Sequence, residues 1–166
     1  MANITTLKVA GDGVSHPSRA LGNTPYTVEN YIKFADVTTA KGSAIEASDT
    51  IEAIAVPAGT LILNAGVQCI IPDNATALTL DLGFTGGDVD EFVDGFDHAA
   101  AAAGAYSAYL ATDPQWIAPI TTADTIDLLI ATLTDAPTVG QVRVWALLVD
   151  VAPKRSTAPA IAALKS

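Results

Sequence analysis

Few side chains in this sequence have the chemistry of a catalytic or zinc-binding residue. The chain has two histidines and one cysteine. His16 lies in a turn-rich segment and His98 precedes a run of five alanines, and neither stands in a recognisable motif for nucleophilic catalysis. We expect both histidines to face solvent or an interface. Zinc needs three or four nitrogen or sulfur ligands, and these residues together with Cys69 do not supply them.

An acidic segment, residues 88–94, is the other candidate for a chemical site. Clustered carboxylates on a loop bind Ca²⁺, which takes roughly six to eight oxygen ligands. The segment lacks the early glycine and the terminal glutamate of an EF-hand loop, and Phe92 stands where an oxygen ligand is needed. We predict instead the solvated start of a short helix within residues 88–104, because acidic side chains are favoured near a helix N-terminus.

The glycine cluster at residues 83–87 is not a phosphate-binding loop, because the lysine and the parallel βαβ pattern of a P-loop are missing. The spacing of the carboxylates does not exclude glycoside hydrolysis, but no feature favours it. The sequence therefore predicts a protein that is not an enzyme. We expect no catalytic residue, no cofactor and no metal ligand.

Composition narrows the class of protein further. Of the 166 residues, 50% are hydrophobic and 16% are charged, which is typical of one folded domain and too apolar for a disordered chain. The net charge of −10 argues against binding to nucleic acid. We expect no membrane span and no signal peptide. A single cysteine excludes an intrachain disulfide, and Cys69 is expected to be an inert core thiol.

Alternating hydrophobicity is the strongest structural signal. Residues 61–71 place Leu61, Leu63, Ala65, Val67, Cys69 and Ile71 on one parity, which predicts a long strand with that face buried. Further strands are predicted at residues 5–9, 26–37, 50–56, 76–82, 106–111, 125–133 and 141–151, and a further extended piece at 116–120.

Short strands separated by turn signals predict an all-β fold, an antiparallel β-sandwich that is jelly-roll-like. We divide the chain into an N-terminal arm (1–48), a sandwich core (49–151) and a short C-terminal tail (152–166). The last strand is apolar on both faces, with Trp145 on the parity opposite to Val144. Such a strand is either central in the sandwich or covered by a neighbouring subunit.

Several segments occur in an order that is characteristic of one group of virion proteins. They are Ile54–Leu63, Gly66–Val67, Asp81–Gly83, Gly86–Asp88, Phe92–Gly95, Ala103–Ser107, Asp124–Leu128 and Val142–Leu147. Over residues 49–151 this order resembles the head decoration, or capsid cement, proteins of tailed bacteriophages. The arm and the tail lie outside the resemblance.

The resemblance implies a non-enzymatic structural protein on the outer surface of a phage capsid. Its expected partners are the major capsid protein and further copies of itself, as a homotrimer. We expect the arm to bind the shell, with Tyr26, Tyr31 and Phe34 as candidate anchors and Trp145 as a further candidate capsid or subunit contact.

Two other functions remain open at this point. One is a head-fibre, tail or baseplate component built on a similar sandwich. The other is a carbohydrate-binding β-sandwich module, for which Tyr109 and Trp116 are the aromatic residues to test.

Overall fold

The computed structural model describes residues 3–4, 9–10, 24–108 and 119–151. Its elements follow in chain order. They are β1 (Asn3–Ile4), β2 (Val9–Ala10), β3 (Tyr26–Lys33), α1 (Phe34–Lys41), β4 (Thr50–Val56), β5 (Thr60–Ile71), β6 (Ala77–Gly83), β7 (Val93–Asp97), β8 (Tyr106–Ala108), β9 (Asp124–Thr134) and β10 (Gln141–Asp150).

The strands form two sheets, and the predicted β-sandwich is confirmed. One sheet has six strands in the order β1-β4-β9-β6-β7, with β2 also paired to β4; the other has four, in the order β3-β10-β5-β8. Apart from β1 and β2, which run parallel to β4, all pairings are antiparallel. From β3 to β6, and again from β7 to β10, the chain changes sheet at every step.

The core lies between the sheets and is built from alternate residues of the strands. Leu78, Leu80 and Leu82 are fully buried on β6, as predicted. Val142 and Val144 meet them from β10 and are equally buried. β10 lies between β3 and β5 in its sheet, and its outward residues Trp145 and Leu147 are partly buried.

The single burial parity predicted for residues 61–71 is wrong at both ends of β5. Leu63 and Ile71 are 43% and 48% exposed, whereas Ile62 is buried. On β10, Leu147 pairs with Asn64 but Leu148 pairs with Ile62, so Leu63 is an extra residue in a β-bulge. At the other end of β5, Gln141 pairs with Ile71 but Val142 pairs with Cys69, so Ile70 has no partner on β10. At each irregularity, the side chains that point into the core change from odd-numbered to even-numbered residues. The prediction therefore holds only for the central part of the strand, at Ala65, Val67 and Cys69.

The helix predicted within residues 88–104 is also wrong. The segment forms turns followed by β7, which pairs with the edge of β6. Gly95 has φ +66° and donates its N–H to the Asp81 carboxylate at 2.8 Å. The backbone groups at the edge of β6 are thus hydrogen-bonded to β7, and a helix in this segment would not offer them these partners.

A helix is present instead at α1, where the sequence predicted that the strand starting at Tyr26 would continue to Val37. Phe34 and Val37, one turn apart, are both fully buried. The helix ends at Gly42, which adopts φ +76° and donates its N–H to the carbonyl of Thr38. Lys41 in the last turn then donates to the Asp49 carboxylate at 2.6 Å.

The predicted boundary at Asp49 does not coincide with a break in the sheets, because β3 is hydrogen-bonded to β10 along its whole length. Of the predicted strands, residues 5–8, 109–111 and 116–118 lie outside the described part of the chain, as does the tail. The remaining strand predictions agree with the structure to within one or two residues, apart from the strand predicted at 26–37. Residues 119–120, the described part of the extended piece predicted at 116–120, are not in a strand.

One end of the sandwich is organised by a buried pair of polar side chains. His98 Nδ1 and Asp73 Oδ2 are 2.5 Å apart, and both side chains are fully buried. The other Asp73 oxygen accepts the N–H of Ala75 at 2.6 Å. The expectation that His98 faces solvent or an interface is therefore wrong in this chain, because the turn after β5 supplies a partner that the sequence spacing does not reveal.

Two further connections pack against this pair. The ring of Phe34, at the start of α1, makes an edge contact with His98 at a centroid distance of 5.2 Å. Gly140, just before β10, has φ +115°, and a Cβ atom there would lie 2.8 Å from both Asp73 and Phe34. Only glycine fits this position, because any other residue would be strained at this φ angle and its Cβ atom would lie too close to Asp73 and Phe34.

We predict that Asp73→Ala lowers the free energy of unfolding by about 3–5 kcal/mol, because it leaves the buried His98 without its partner. It also removes the acceptor for the Ala75 N–H. Urea denaturation of the purified chain measures the effect.

Asp36→Ala is the matched control, since Asp36 is exposed on α1 and its replacement should change stability by less than about 0.5 kcal/mol. A loss below about 1 kcal/mol for Asp73→Ala would mean that the pair does not hold this end together.

Candidate functional site

The outward surface of the four-stranded sheet brings together side chains that protein interfaces favour. We call it the aromatic face. It consists of Glu29, Tyr31, Gln68, Tyr106, Arg143 and Trp145. The inward neighbours of these residues, such as Ile32 and Val144, are buried, so the alternation of the strands turns the aromatic face away from the core.

Strand register aligns four of these residues in one row across the sheet. Arg143 pairs with Tyr31 on β3 and with Gln68 on β5, and Gln68 pairs with Tyr106 on β8. The row ends in a tyrosine on both sides, and the two tyrosine positions are separated by three strand spacings, about 14 Å. Tyr31 is 51% exposed and Tyr106 is 73% exposed.

The middle of the row is held by polar contacts. Arg143 Nε forms an ion pair with the Glu29 carboxylate, and its NH1 group donates to Gln68 Oε1 at 3.0 Å. The Tyr31 hydroxyl lies 3.5 Å from the same Glu29 carboxylate. Ion pairs this exposed contribute only about 0–1 kcal/mol to stability. They orient Arg143 between the two tyrosine positions of the row.

Gly66 sets how closely β8 approaches the sheet. A Cβ atom at Gly66 would lie 2.6 Å from the carbonyl oxygen of Ser107 and 2.9 Å from the Cβ of Ala108. Glycine therefore allows β8 to pair with β5, and this pairing carries Tyr106 into the row.

The four contact residues predicted from the sequence fall into two groups. Tyr31 and Trp145 both belong to the aromatic face; Tyr31 is exposed and Trp145 is half-buried. Tyr26 and Phe34 belong to the core, with 4% and 0% exposure. The rings of Tyr26 and Phe34 are therefore part of the core, whereas Tyr31 and Trp145 leave part of their surface accessible.

Sequence reasoning missed Tyr106, Arg143 and Glu29 as members of a surface. The strand around Tyr106 was predicted, but only cross-strand register reveals that Tyr106 and Tyr31 share a row. Tyr109, Trp116 and His16, the other aromatic and histidine candidates, lie outside the described residues.

The other candidates for chemistry are not assembled into a site in the described part of the chain. Cys69 is buried as predicted, and this burial raises the pKa of its thiol. Within residues 24–108 and 119–151, no group of three or more histidine, cysteine, aspartate or glutamate side chains is arranged to hold a metal ion. Over the same residues, no helix is long and apolar enough to cross a membrane.

Comparisons with known proteins identify the fold. No protein-family model and no curated protein sequence matches the chain. Among solved structures, it is similar to a chain of the capsid of Ralstonia phage GP4, with a TM-score of 0.65 and 16% identity over 90% of this chain and 98% of that one.

Two further capsid structures contain similar chains. In the cyanophage Pam1 capsid asymmetric unit, the match has a TM-score of 0.58 and 18% identity, over 82% of this chain and 91% of that one. In the acid-stable capsid of Helicobacter pylori bacteriophage KHP30, it has a TM-score of 0.50 and 16% identity, over 76% and 89%. At these identities the likeness establishes a shared fold.

We predict that Gly66→Ala displaces β8, because the added methyl group overlaps the Ser107 carbonyl. The expected cost is about 1–3 kcal/mol of stability, as for other overpacked sites. Hydrogen exchange should show faster exchange at residues 104–108 than in the unaltered chain.

Gly87→Ala is the control, since a Cβ atom there has no neighbour closer than 3.5 Å. Unchanged exchange at residues 104–108 in Gly66→Ala would mean that close approach at Gly66 does not hold β8.

Proposed function

We propose that this chain is a non-enzymatic decoration protein that binds the outer surface of a phage capsid and stabilises the shell. The fold match to the Ralstonia phage GP4 capsid chain is the observation that carries the proposal, because it spans 90% of this chain and 98% of its counterpart. The two chains are therefore close in length, and the likeness is not that of one domain within a much larger protein.

The aromatic face is the surface we assign to the capsid contact. Tyrosine, tryptophan and arginine are the residue types that most often dominate binding energy in protein interfaces. The face presents all three, with Arg143 already oriented by Glu29 and Gln68. The proposed partners are the major capsid protein and further copies of this chain, as a homotrimer.

Charge gives the proposed orientation on the shell. Two of the three basic residues among the described positions, Lys33 and Arg143, point outward from the four-stranded sheet. Carboxylates predominate on the opposite side of the sandwich, around the 84–97 connection. We place that acidic side toward solvent and the aromatic face toward the shell. A net charge of −10 suits a position outside the shell, away from the packaged nucleic acid.

The proposal is tested by adding the purified full-length chain to expanded shells of the source virus that lack it. We expect saturable binding in co-sedimentation. Tyr31→Ala and Trp145→Ala should each weaken binding by about 30-fold, the equivalent of about 2 kcal/mol for an interface hot spot.

Val139→Ala is the matched control, because Val139 is 52% exposed but lies in the β9–β10 loop, away from the aromatic face. Circular dichroism and urea denaturation of each variant separate a lost contact from a lost fold. Absence of binding by the unaltered chain would refute the decoration role. Normal binding by both variants would refute the assignment of the aromatic face.

The expected contribution of the arm is tested on the same shells by deleting residues 1–25. Weaker binding is expected if the arm anchors the chain. Unchanged binding would place the anchoring contacts at residue 26 onward, where Tyr31 and Trp145 lie.

A further inference from the structure

The four-stranded sheet has one long edge, which is formed by β3. This strand is eight residues long, whereas β8 at the opposite edge has three. One side of β3 pairs with β10, and among the described residues no strand pairs with its other side. We call that other side the free edge of β3. An edge strand with unpaired backbone groups is a template on which a further strand adds to the sheet.

The hydrogen bonds at the end of β3 show which residues have their backbone groups at the free edge. The N–H of Phe34 donates to the carbonyl of Gly140, and this pair continues the register in which Ile32 lies opposite Val142. Because hydrogen-bonded and non-hydrogen-bonded pairs alternate in an antiparallel ladder, the even-numbered residues of β3 bond to β10. The N–H and C=O groups of the odd-numbered residues therefore point to the free edge. These residues are Thr27, Glu29, Tyr31 and Lys33.

The ladder on the far side of β10 leads to the same assignment. Cys69 on β5 donates its N–H to the carbonyl of Ala105 and accepts the N–H of Gly104, both at 2.8 Å, so its backbone groups point to the β8 side. The neighbouring Gln68 then bonds to Arg143 on β10, which leaves the even-numbered residues of β10 to bond to β3. Both ladders thus place the odd-numbered backbone groups of β3 at the free edge.

The strand β3 lacks several of the devices that keep edge strands from pairing, namely bulges, prolines and inward-pointing charges. Its register with β10 runs without a shift from Tyr26 to Lys33, and it contains no proline. Its inward side chains are all buried, and the polar one, Asn30, is neutral and donates to the Ala53 carbonyl at 3.0 Å. The free edge is therefore regular enough to accept a second strand.

The outward charges of β3 favour a second copy of the same strand as the partner. When two β3 strands run antiparallel with Tyr31 of one opposite Tyr31 of the other, Glu29 of each copy lies opposite Lys33 of its partner. Odd-numbered residues then face odd-numbered residues, so the free backbone groups meet and opposite charges face each other twice. A register centred on Glu29 or on Lys33 would place like charges opposite each other. Lys33 is exposed and forms no ion pair with another described residue.

We propose that the free edge of β3 binds a second copy of this chain, strand to strand, in the register centred on Tyr31. The two four-stranded sheets then form one continuous sheet. The two-fold axis of this pair is perpendicular to the sheet, so both aromatic faces lie on the same side. A two-fold contact does not close a trimer, and in a homotrimer it joins one trimer to the next. The proposal does not depend on the capsid role, because it rests on β3 alone.

The first test is cysteine cross-linking of the purified full-length chain under mild oxidation, read on non-reducing gels. In the proposed register the Cα atoms of residue 31 in the two copies lie about 5.5 Å apart, within the range that a disulfide spans. We expect Tyr31→Cys to form disulfide-linked dimers. The unaltered chain gives the background, since its one cysteine, Cys69, is buried.

Thr27→Cys is the matched control, because Thr27 is exposed on the same edge. Each copy of residue 27 lies four residues from the two-fold axis, so the two copies are about 27 Å apart and should not cross-link. Circular dichroism of each variant checks that the fold is kept.

Sedimentation equilibrium provides a second readout that leaves Tyr31 in place. Lys33→Glu replaces both attractive cross-strand pairs with repulsive ones and should raise the Kd of the pair by about tenfold or more. Thr27→Glu adds a negative charge to the same strand outside the overlap, and it should change the Kd by less than about twofold.

Equal cross-linking of Tyr31→Cys and Thr27→Cys, or cross-linking of neither, would refute pairing in this register. A stable trimer without a Tyr31→Cys dimer would refute the β3 contact and leave the proposed homotrimer standing. Cross-linking of Tyr31→Cys by a chain that does not bind shells would support the β3 contact and refute only the decoration role.

Discussion

The buried contact between Asp73 and His98 lies at the end of the sandwich where four of the six crossovers between the sheets from β3 to β10 take place. Four connections meet there: the turn after β5 holds Asp73, the segment after β7 begins with His98, α1 begins with Phe34, and the β9–β10 loop ends at Gly140. A sandwich whose chain changes sheet so often needs its crossovers held in place, because each sheet alone leaves one apolar face uncovered. A hydrogen-bonded polar pair fixes their relative positions with a directionality that apolar packing lacks.

Outside the core, the two sheets differ in what they present. The four-stranded sheet carries tyrosines, Trp145 and an oriented Arg143, whereas the six-stranded sheet and its 84–97 connection carry carboxylates. The first surface is rich in the residue types that dominate protein interfaces, and the second is acidic.

Most strands were predictable because alternation, turn residues and burial point to the same answer, as on β6 with Leu78, Leu80 and Leu82. The errors arose where tertiary pairing overrides local pattern. The extra residue at Leu63 is set by its partner β10, and β7 forms because the edge of β6 requires backbone partners. The aromatic face could be predicted only in part, since Tyr31 and Trp145 are visible in sequence but their alignment with Tyr106 depends on register across four strands.

The central proposal is that this chain decorates a phage shell as a structural protein, and its abundance in the virion tests that proposal most directly. Quantitative mass spectrometry of purified source virions would give the ratio of this chain to the major capsid protein. We predict a ratio near one, as decoration across the whole shell requires. A few copies per particle would contradict it and would indicate a head-fibre, tail or baseplate position, and complete absence would refute a virion role.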